Sequence, residues 1–468
     1  MTKIKEKITI ENILCVFIVI CPVLDIISFW FRNIFKTSIS PSTIIRPIIP
    51  IALIIYIFFK HRIKFKLAIF ALIYALYAFI HMYLFNKMRT AISYGNFTHE
   101  LQYIINYSFM ILNLFLYVYV FYKTNQEEKI KKAVLISVCI YVISIYLSIL
   151  TNTATSTYIE QIGIKGWFES GNSIGAILIL SLFILYTMVR YMKYNKIVIA
   201  VILFSGVYLL TMIGTRVGLF GFIIATATYA ISEIVIVVKN KVNINKNTII
   251  IATCLFLILI GIVGIKGSKT LERRRFLESE KSNLIDVSTG EIAHVTLDIV
   301  DIKEKIVKED MPYVVMAKPD QDAIIELYNY ANEKEIAGTN RREQQLVYNY
   351  YKLLNQRDIR LILFGNGYLN NYAELTLEME IPAFLLNYGI FGFILFFMPF
   401  LIVAIYCTYK GIKCRKQIDA EYLTLLCGTY FVFVISFFTS AIFFNSSTTI
   451  IIIALNVLVL NKTWKMSN

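Results

Sequence analysis

The sequence predicts an all-α polytopic integral membrane protein with about 12 transmembrane helices and a long, partly helical extracellular loop between helices 9 and 10. Composition, run length and charge placement each lead there. Hydrophobic residues make up 57% of the chain and charged residues 16%, against about half and about a quarter in soluble domains. Mean hydropathy is +0.65. Apolar runs long enough to cross a bilayer fall at 13–31, 43–59, 67–85, 103–122, 133–150, 173–189, 197–213, 217–238, 248–265, 383–408, 421–440 and 446–460. The linkers between them alternate in charge. Those of one parity, with the two ends of the chain, hold 23 Lys and Arg residues. The short linkers of the other parity hold only Arg32, Lys36, Lys87, Arg89, Lys165 and Arg216. Basic residues are retained on the cytoplasmic side, so both termini are expected inside and 266–382 outside.

The division that follows is an N-terminal bundle of about nine helices (1–265), an extracellular loop domain (266–382) and a C-terminal group, helices 10–12 (383–468). Lys3, Lys5 and Lys7 precede the first run without a small-residue cleavage site, so that run is expected to be retained as a helix. The net charge of +15 is spread in short clusters between apolar runs. It carries topology and gives no nucleic-acid footprint. None of the seven cysteines lies in 266–382 and none has ligand spacing, so neither a disulfide framework nor a zinc site is indicated.

The segment 266–382 holds 20 of the 31 acidic residues and is too long for a plain connection. Its residues 340–356 predict an amphipathic helix. Asn340 and Glu343 have capping-box spacing, and Leu346, Tyr350 and Leu353 recur at helical intervals. Weaker helical patterns cover 297–309 and 320–335. The segment closes on GNGYLNNYAELTLEMEIPAFLLNYGIFG, residues 365–392. Gly365 and Gly367 permit a tight turn, and Pro382 suits a first helical turn. Glu374, Glu378 and Glu380 stand just before the chain enters lipid, where an unused charge is costly.

Three further places concentrate charge. Asp25 in helix 1 and Arg46 in helix 2 approach from the same side and can pair, which reads first as a structural ion pair. Arg216 sits between two apolar helices in LLTMIGTRVGLFG, residues 209–221, where the tight Gly-Thr-Arg corner argues for an inward position. Its planar, permanently charged fork suits phosphate. Arg341 and Arg342 open the 340–356 helix, where cations oppose the macrodipole; they read equally as a ligand site and as solvated surface charge. Asn172, in GWFESGNSIGAIL at 166–178, reads as a helix cap.

These segments together resemble the O-antigen ligase and polymerase superfamily. GWFESGNSIGAIL is similar to its G-x-F-x-x-x-N segment and IGTRVGLFG to its S/T-R-x-G corner. GNG followed by LLNYGIFG, 385–392, resembles the close of its long outer loop. The ligases of that family place a His-Asn pair with the His eleven residues before the first Gly of G-I-x-G. Here that position is Glu378, followed by Met379, so the resemblance leans toward the polymerase branch, such as the capsule and teichuronic-acid-type polymerases of Gram-positive bacteria.

The resemblance implies a glycosyltransferase in a bacterial plasma membrane that moves undecaprenyl-diphosphate-linked glycan to an acceptor hydroxyl on the outer face. Its partners would be that lipid-linked glycan, the bilayer and other polysaccharide assembly proteins. It implies no cofactor, because the carrier diphosphate is itself the leaving group and arginines suffice to neutralise it, although Glu374, Glu378 and Glu380 could hold a metal. Arg216, Arg341 and Arg342 would hold the diphosphate, and Glu378, with Glu380 in reserve, would serve as base. Glu374, Gly365, Gly367, Asn172 and the Asp25–Arg46 pair would support the site. Two other readings stay open. A transporter or flippase of polyprenyl-linked saccharide would need charges deep in several helices, and apart from Asp25 the helix centres are nearly free of acidic residues. A non-enzymatic membrane scaffold would tolerate loss of Arg216, Arg341 and Glu378 together.

Overall fold

The computed structural model describes residues 9–36, 40–61, 65–87, 97–158, 161–191, 196–240, 254, 257–258, 267–283, 329, 333, 342, 345–346, 349–350, 358–367 and 377–467. Among these, nine helices are long and apolar enough to cross a membrane, or ten where the bent pair counts as one span. In hydrocarbon every backbone polar group must find its partner within the chain, which is why apolar runs of this length resolve as helices.

The helices are α1 (Ile10–Phe35), α2 (Pro41–His61), α3 (Phe65–Lys87), α4 (Phe97–Phe121), α5 (Glu127–Leu150), α6 (Gly171–Tyr191), α7 (Lys196–Ile213) and α8 (Arg216–Asn240). They continue with α9 (Lys269–Asn283), α10 (Ile359–Phe364), α11 (Glu380–Phe396), α12 (Met398–Lys413), α13 (Ala420–Phe438) and α14 (Ser446–Ser467). A two-stranded antiparallel hairpin, β1 (Thr155–Ser156) and β2 (Ile164–Gly166), precedes α6. The sequence reading did not foresee it.

α6 and α14 form the centre. Ile450–Val459 and Ala176–Met188 are buried throughout, and α6 packs against α8, α13 and α14 while α14 also packs on α4 and α12. Side-chain caps fix several helix starts. Asp419 accepts the Tyr422 N–H at 2.8 Å, Asp358 the Arg360 N–H at 2.9 Å, and Asn445 the N–H groups of Ser447 and Thr448 at 3.0 Å each. Outside the membrane spans, the Arg360 side chain bound to Asp358 holds that carboxyl below its usual range.

Some sequence expectations are revised. The run 383–408 is two helices, α11 and α12, bent by 44° at Phe397, with a proline at the start of α12 that supplies no N–H to carry the first helix on. The apolar part of α7, Ala200–Ile213, is shorter than a full span. The run 248–265 and the helices expected at 297–309 and 320–335 lie almost wholly outside the described residues. In the 340–356 helix the described residues are helical, but the face is inverted. Gln345 and Asn349 are buried, while Leu346 and Tyr350 are 37% and 49% exposed. The amide face turns inward because it carries hydrogen bonds: Gln345 Oε1 accepts the Glu378 N–H at 3.1 Å.

The Gly-x-Gly and the later glycine of LLNYGIFG interlock. Gly389, at φ +68°, breaks α11 from within and frees carbonyls that a continuous helix would use. Asn366 N–H donates to Leu386 O at 3.1 Å and Gly367 N–H to Asn387 O at 2.8 Å. The Tyr77 hydroxyl takes Tyr388 O at 2.8 Å. Behind this crossing His81 Nδ1 lies 2.6 Å from Phe364 O, and a carbonyl only accepts, so Nδ1 carries a hydrogen. His81 Nε2 then faces Glu100 Oε1 at 2.8 Å, both side chains being buried.

A Cβ on Gly389 would collide with the backbone of Leu363 and Gly365. Gly389→Ala is therefore expected to lower the melting temperature and yield of the detergent-solubilised protein. Gly206→Ala, a helical position with open space around it, should be neutral or stabilising. Equal melting temperatures for the two variants would show that the crossing is not close-packed.

Candidate functional site

The site is built at one end of the bundle, where the hairpin, the 214–216 corner, α9 and the segment around 342 and 378 meet. Thr215 is buried and turns its hydroxyl inward to accept the Gly218 N–H at 3.1 Å, capping α8. Gly214, at φ +82°, passes close under Lys269 and Gly163. The Thr157 hydroxyl donates to Ile213 O at 2.7 Å and the Thr270 hydroxyl to Thr215 O at 3.3 Å. The corner is thus clamped from both sides. Because Thr215 takes the inward direction, Arg216 points outward and is exposed. The inward position expected from the tight corner is therefore corrected.

Three arginines act on Tyr158, Arg273 by direct contact and Arg342 and Arg216 through their charge. The Arg273 guanidinium lies over its ring, 3.3 Å from the centroid. Burial pushes the Tyr158 phenol up from its ordinary pKa, and Arg273, Arg342 and Arg216 all act against that shift. Arg273 was missed in the sequence, although Arg273–Arg275 is a visible basic triplet. The Arg273 Nε is buried without a hydrogen-bond partner among the described residues. Arg341 and Glu374 lie outside the described residues.

Arg342 reaches the last helical carbonyl of α13. Its Nη1 donates to Phe438 O at 2.6 Å, and its Nε lies 3.9 Å from Glu378 Oε2. Both side chains of this pair are 42% exposed, so it contributes little to stability. It places a carboxylate and a guanidinium side by side at an open surface.

Glu380 has different surroundings. It is buried, and its carboxylate accepts three successive backbone N–H groups, those of Ile442, Phe443 and Phe444, at 2.9, 2.8 and 2.6 Å. Its own N–H donates to Thr439 O at 3.2 Å. The strap 439–445 between α13 and α14 is therefore gripped at both ends. Ala441 within it holds φ +62°, a region costly for a residue with a Cβ. The Ser173 hydroxyl donates to Ala441 O at 3.2 Å. The α6 start is capped by Ser170, whose hydroxyl accepts the Ser173 N–H at 3.3 Å, and not by Asn172, which sits half-buried in the first turn. Gly365 and Gly367 serve the crossing with α11 described above.

Asp25 and Arg46 do pair. Arg46 Nη2 donates to Asp25 Oδ1 at 2.6 Å and to Cys21 O at 3.1 Å, and Nη1 donates to the Ser446 hydroxyl at 2.8 Å. Asp25 Oδ2 accepts from the Tyr141 hydroxyl at 2.8 Å and the Ser447 hydroxyl at 2.6 Å. The pair ties α1 and α2 to α5 and to the start of α14. The sequence showed the two charges but not the serines.

An exposed Arg–Glu pair beside further arginines, on a bundle of apolar helices, offers positive charge to an anionic ligand. The family described as O-antigen ligase like membrane protein matches residues 6–463. The chain belongs to this family. No curated protein and no solved structure matches it. As an O-antigen ligase-like protein it is a multi-pass membrane protein of an enzyme family that transfers glycans from lipid-linked donors.

The Asp25–Arg46 pair is nearly desolvated, with side chains 18% and 9% exposed. Removing one partner leaves the other charge buried. Asp25→Ala is expected to lose about 3–5 kcal/mol of stability, and the double variant Asp25→Ala/Arg46→Met to lose less. Thermal unfolding in detergent reads both; a double variant no more stable than Asp25→Ala would mean that the charges do not act as a pair.

Proposed function

We propose that this O-antigen ligase-like protein is a polysaccharide polymerase acting at the outer face of a bacterial plasma membrane. It joins undecaprenyl-diphosphate-linked oligosaccharide units by attack of an acceptor hydroxyl on the donor's anomeric carbon. The observation that supports this most is the placement of Glu378 next to Arg342, with Arg216 and Arg273 close by around Tyr158. The position at which the family's ligases carry a histidine thus holds a carboxylate beside an arginine of that cluster.

In this reading the acceptor oxygen forms a bond to the anomeric carbon while the bond from that carbon to the diphosphate oxygen breaks. The electron pair leaves with the diphosphate, whose charge Arg342, Arg216 and Arg273 stabilise, with Arg341 as a further candidate. The acceptor proton goes to Glu378. Glu380 is assigned to holding the strap, since its oxygens are occupied by three backbone donors. The pathway needs no cofactor, because the carrier diphosphate is the leaving group. The segment 266–382 forms the extracellular domain between the 1–265 and 383–468 bundles, both termini lie in the cytoplasm, and other polysaccharide assembly proteins are expected neighbours.

Arg216→Ala should insert normally yet abolish elongation, and Arg216→Lys should recover only part, since an ammonium cannot make the forked contact. Glu378→Gln should retain donor binding and lose turnover by roughly 10²–10⁴-fold. Both are read by polymer length on gels alongside donor binding to purified protein. Wild-type elongation in Arg216→Ala, or parallel loss of binding and turnover in Glu378→Gln, would contradict these roles.

A further inference from the structure

A cavity of about 550 Å³ opens against the strap, walled by α1, α2, α4, the start of α6 and residues 441–446. That is the size of an ordinary small-molecule pocket. We infer that this cavity is a saccharide-binding site and, on the transfer reading above, that it holds the acceptor end of the glycan.

Its charges balance. Arg46 is bound to Asp25 and Arg32 to Glu169, each at 2.6 Å, so each cation in the wall faces its own carboxylate. The wall carries no excess of cation to draw a diphosphate, whereas around Tyr158 Arg216, Arg273 and Arg342 outnumber Glu378. What remains is hydrogen-bonding capacity on neutral groups. Gln102 and Asn106 stand one turn apart on α4, both line the cavity, and neither has a hydrogen-bond partner among the described residues. Two adjacent amides, each offering donors and an acceptor, match the vicinal hydroxyls of a sugar ring. Tyr103 and Phe444, with ring centroids 5.1 Å apart, add an aromatic wall against which the apolar face of a pyranose can pack.

The strap supplies the link to the chemistry. Ala441, Phe444 and Asn445 line the cavity, while Glu380 grips 442–444 from behind and Arg342 holds Phe438 O at the strap's near end. A sugar seated against Phe444 and Asn445 is therefore one strap away from the Arg342–Glu378 pair. A rigid strap fixes the register between the two ligands, which is what a reaction between two bound glycans needs.

The probe is the repeat-unit oligosaccharide freed from its lipid carrier by mild acid, titrated against the purified full chain in nanodiscs. Wild type should bind it saturably. Gln102→Ala/Asn106→Ala should weaken binding by about tenfold or more, as two lost hydrogen bonds imply, and raise KM for the acceptor without changing donor binding. Inorganic pyrophosphate should compete with donor and not with this oligosaccharide. Gln102 is exposed, so Gln102→Ala alone carries the test should the double variant not fold, with a loss of a few-fold. Unchanged oligosaccharide affinity in these variants, or displacement of the oligosaccharide by pyrophosphate, overturns the assignment. Binding is read without turnover, so saccharide that binds at Gln102 and Asn106 in a protein that transfers nothing upholds the cavity and ends the transfer reading alone.

Discussion

The buried carboxylate of Glu380 holds three consecutive backbone N–H groups of the strap between α13 and α14, and the loop end of the protein depends on that grip. A loop at membrane depth is tolerated only where its polar backbone is satisfied by protein. Residues 439–445 meet that condition through Glu380, through the Ser173 hydroxyl on Ala441 O and through the Thr449 hydroxyl on Phe443 O at 2.6 Å. With the strap fixed, Arg342 has a carbonyl to rest on, α14 has Asn445 as its cap, and Ser446 and Ser447 are presented to Arg46 and Asp25. The positive φ of Ala441 indicates that tertiary contacts, not local preference, set this conformation.

A second constraint is the crossing of the Gly-x-Gly with α11. Both motifs read in the sequence as isolated short signals. In the structure they are one device: Gly389 opens the helix, and the N–H groups at 366 and 367 take the carbonyls it releases. The buried contact of His81 with Glu100 lies directly behind. The crossing joins the end of the loop segment to the membrane bundle; Glu378 lies just before the helix that it holds, and Glu380 opens that helix and grips the strap.

Much of this was legible in the sequence where side chains and run lengths carry the signal. Apolar runs gave the helices, since only helices satisfy the backbone in lipid. Asp25 and Arg46 could be matched because two charges at the same depth on neighbouring helices have few other partners. The grip of Glu380 was not legible, because its partners are backbone N–H groups some sixty residues away, and such donors leave no mark on residue type. The bend at Phe397 was overlooked because hydropathy runs unbroken through it, although Pro399 marks the place. On the 340–356 helix the hydrophobic pattern pointed the wrong way: the buried face is chosen by the hydrogen bond from Glu378 N–H to Gln345, and Leu346 and Tyr350 turn outward. Arg216 was found by its motif, but its direction depended on Thr215 taking the capping position.

The account rests on the loop-end arginines and Glu378 performing bond formation between glycans, so the most direct test supplies only the protein and its donor. Purified protein reconstituted in proteoliposomes is given lipid-linked repeat units, and products are resolved by size while released undecaprenyl diphosphate is counted. The account predicts chains longer than one repeat, with one carrier diphosphate released for each bond made. Donor that crosses the bilayer unchanged, with no carrier released and no chain formed, would contradict it and identify a transporter instead.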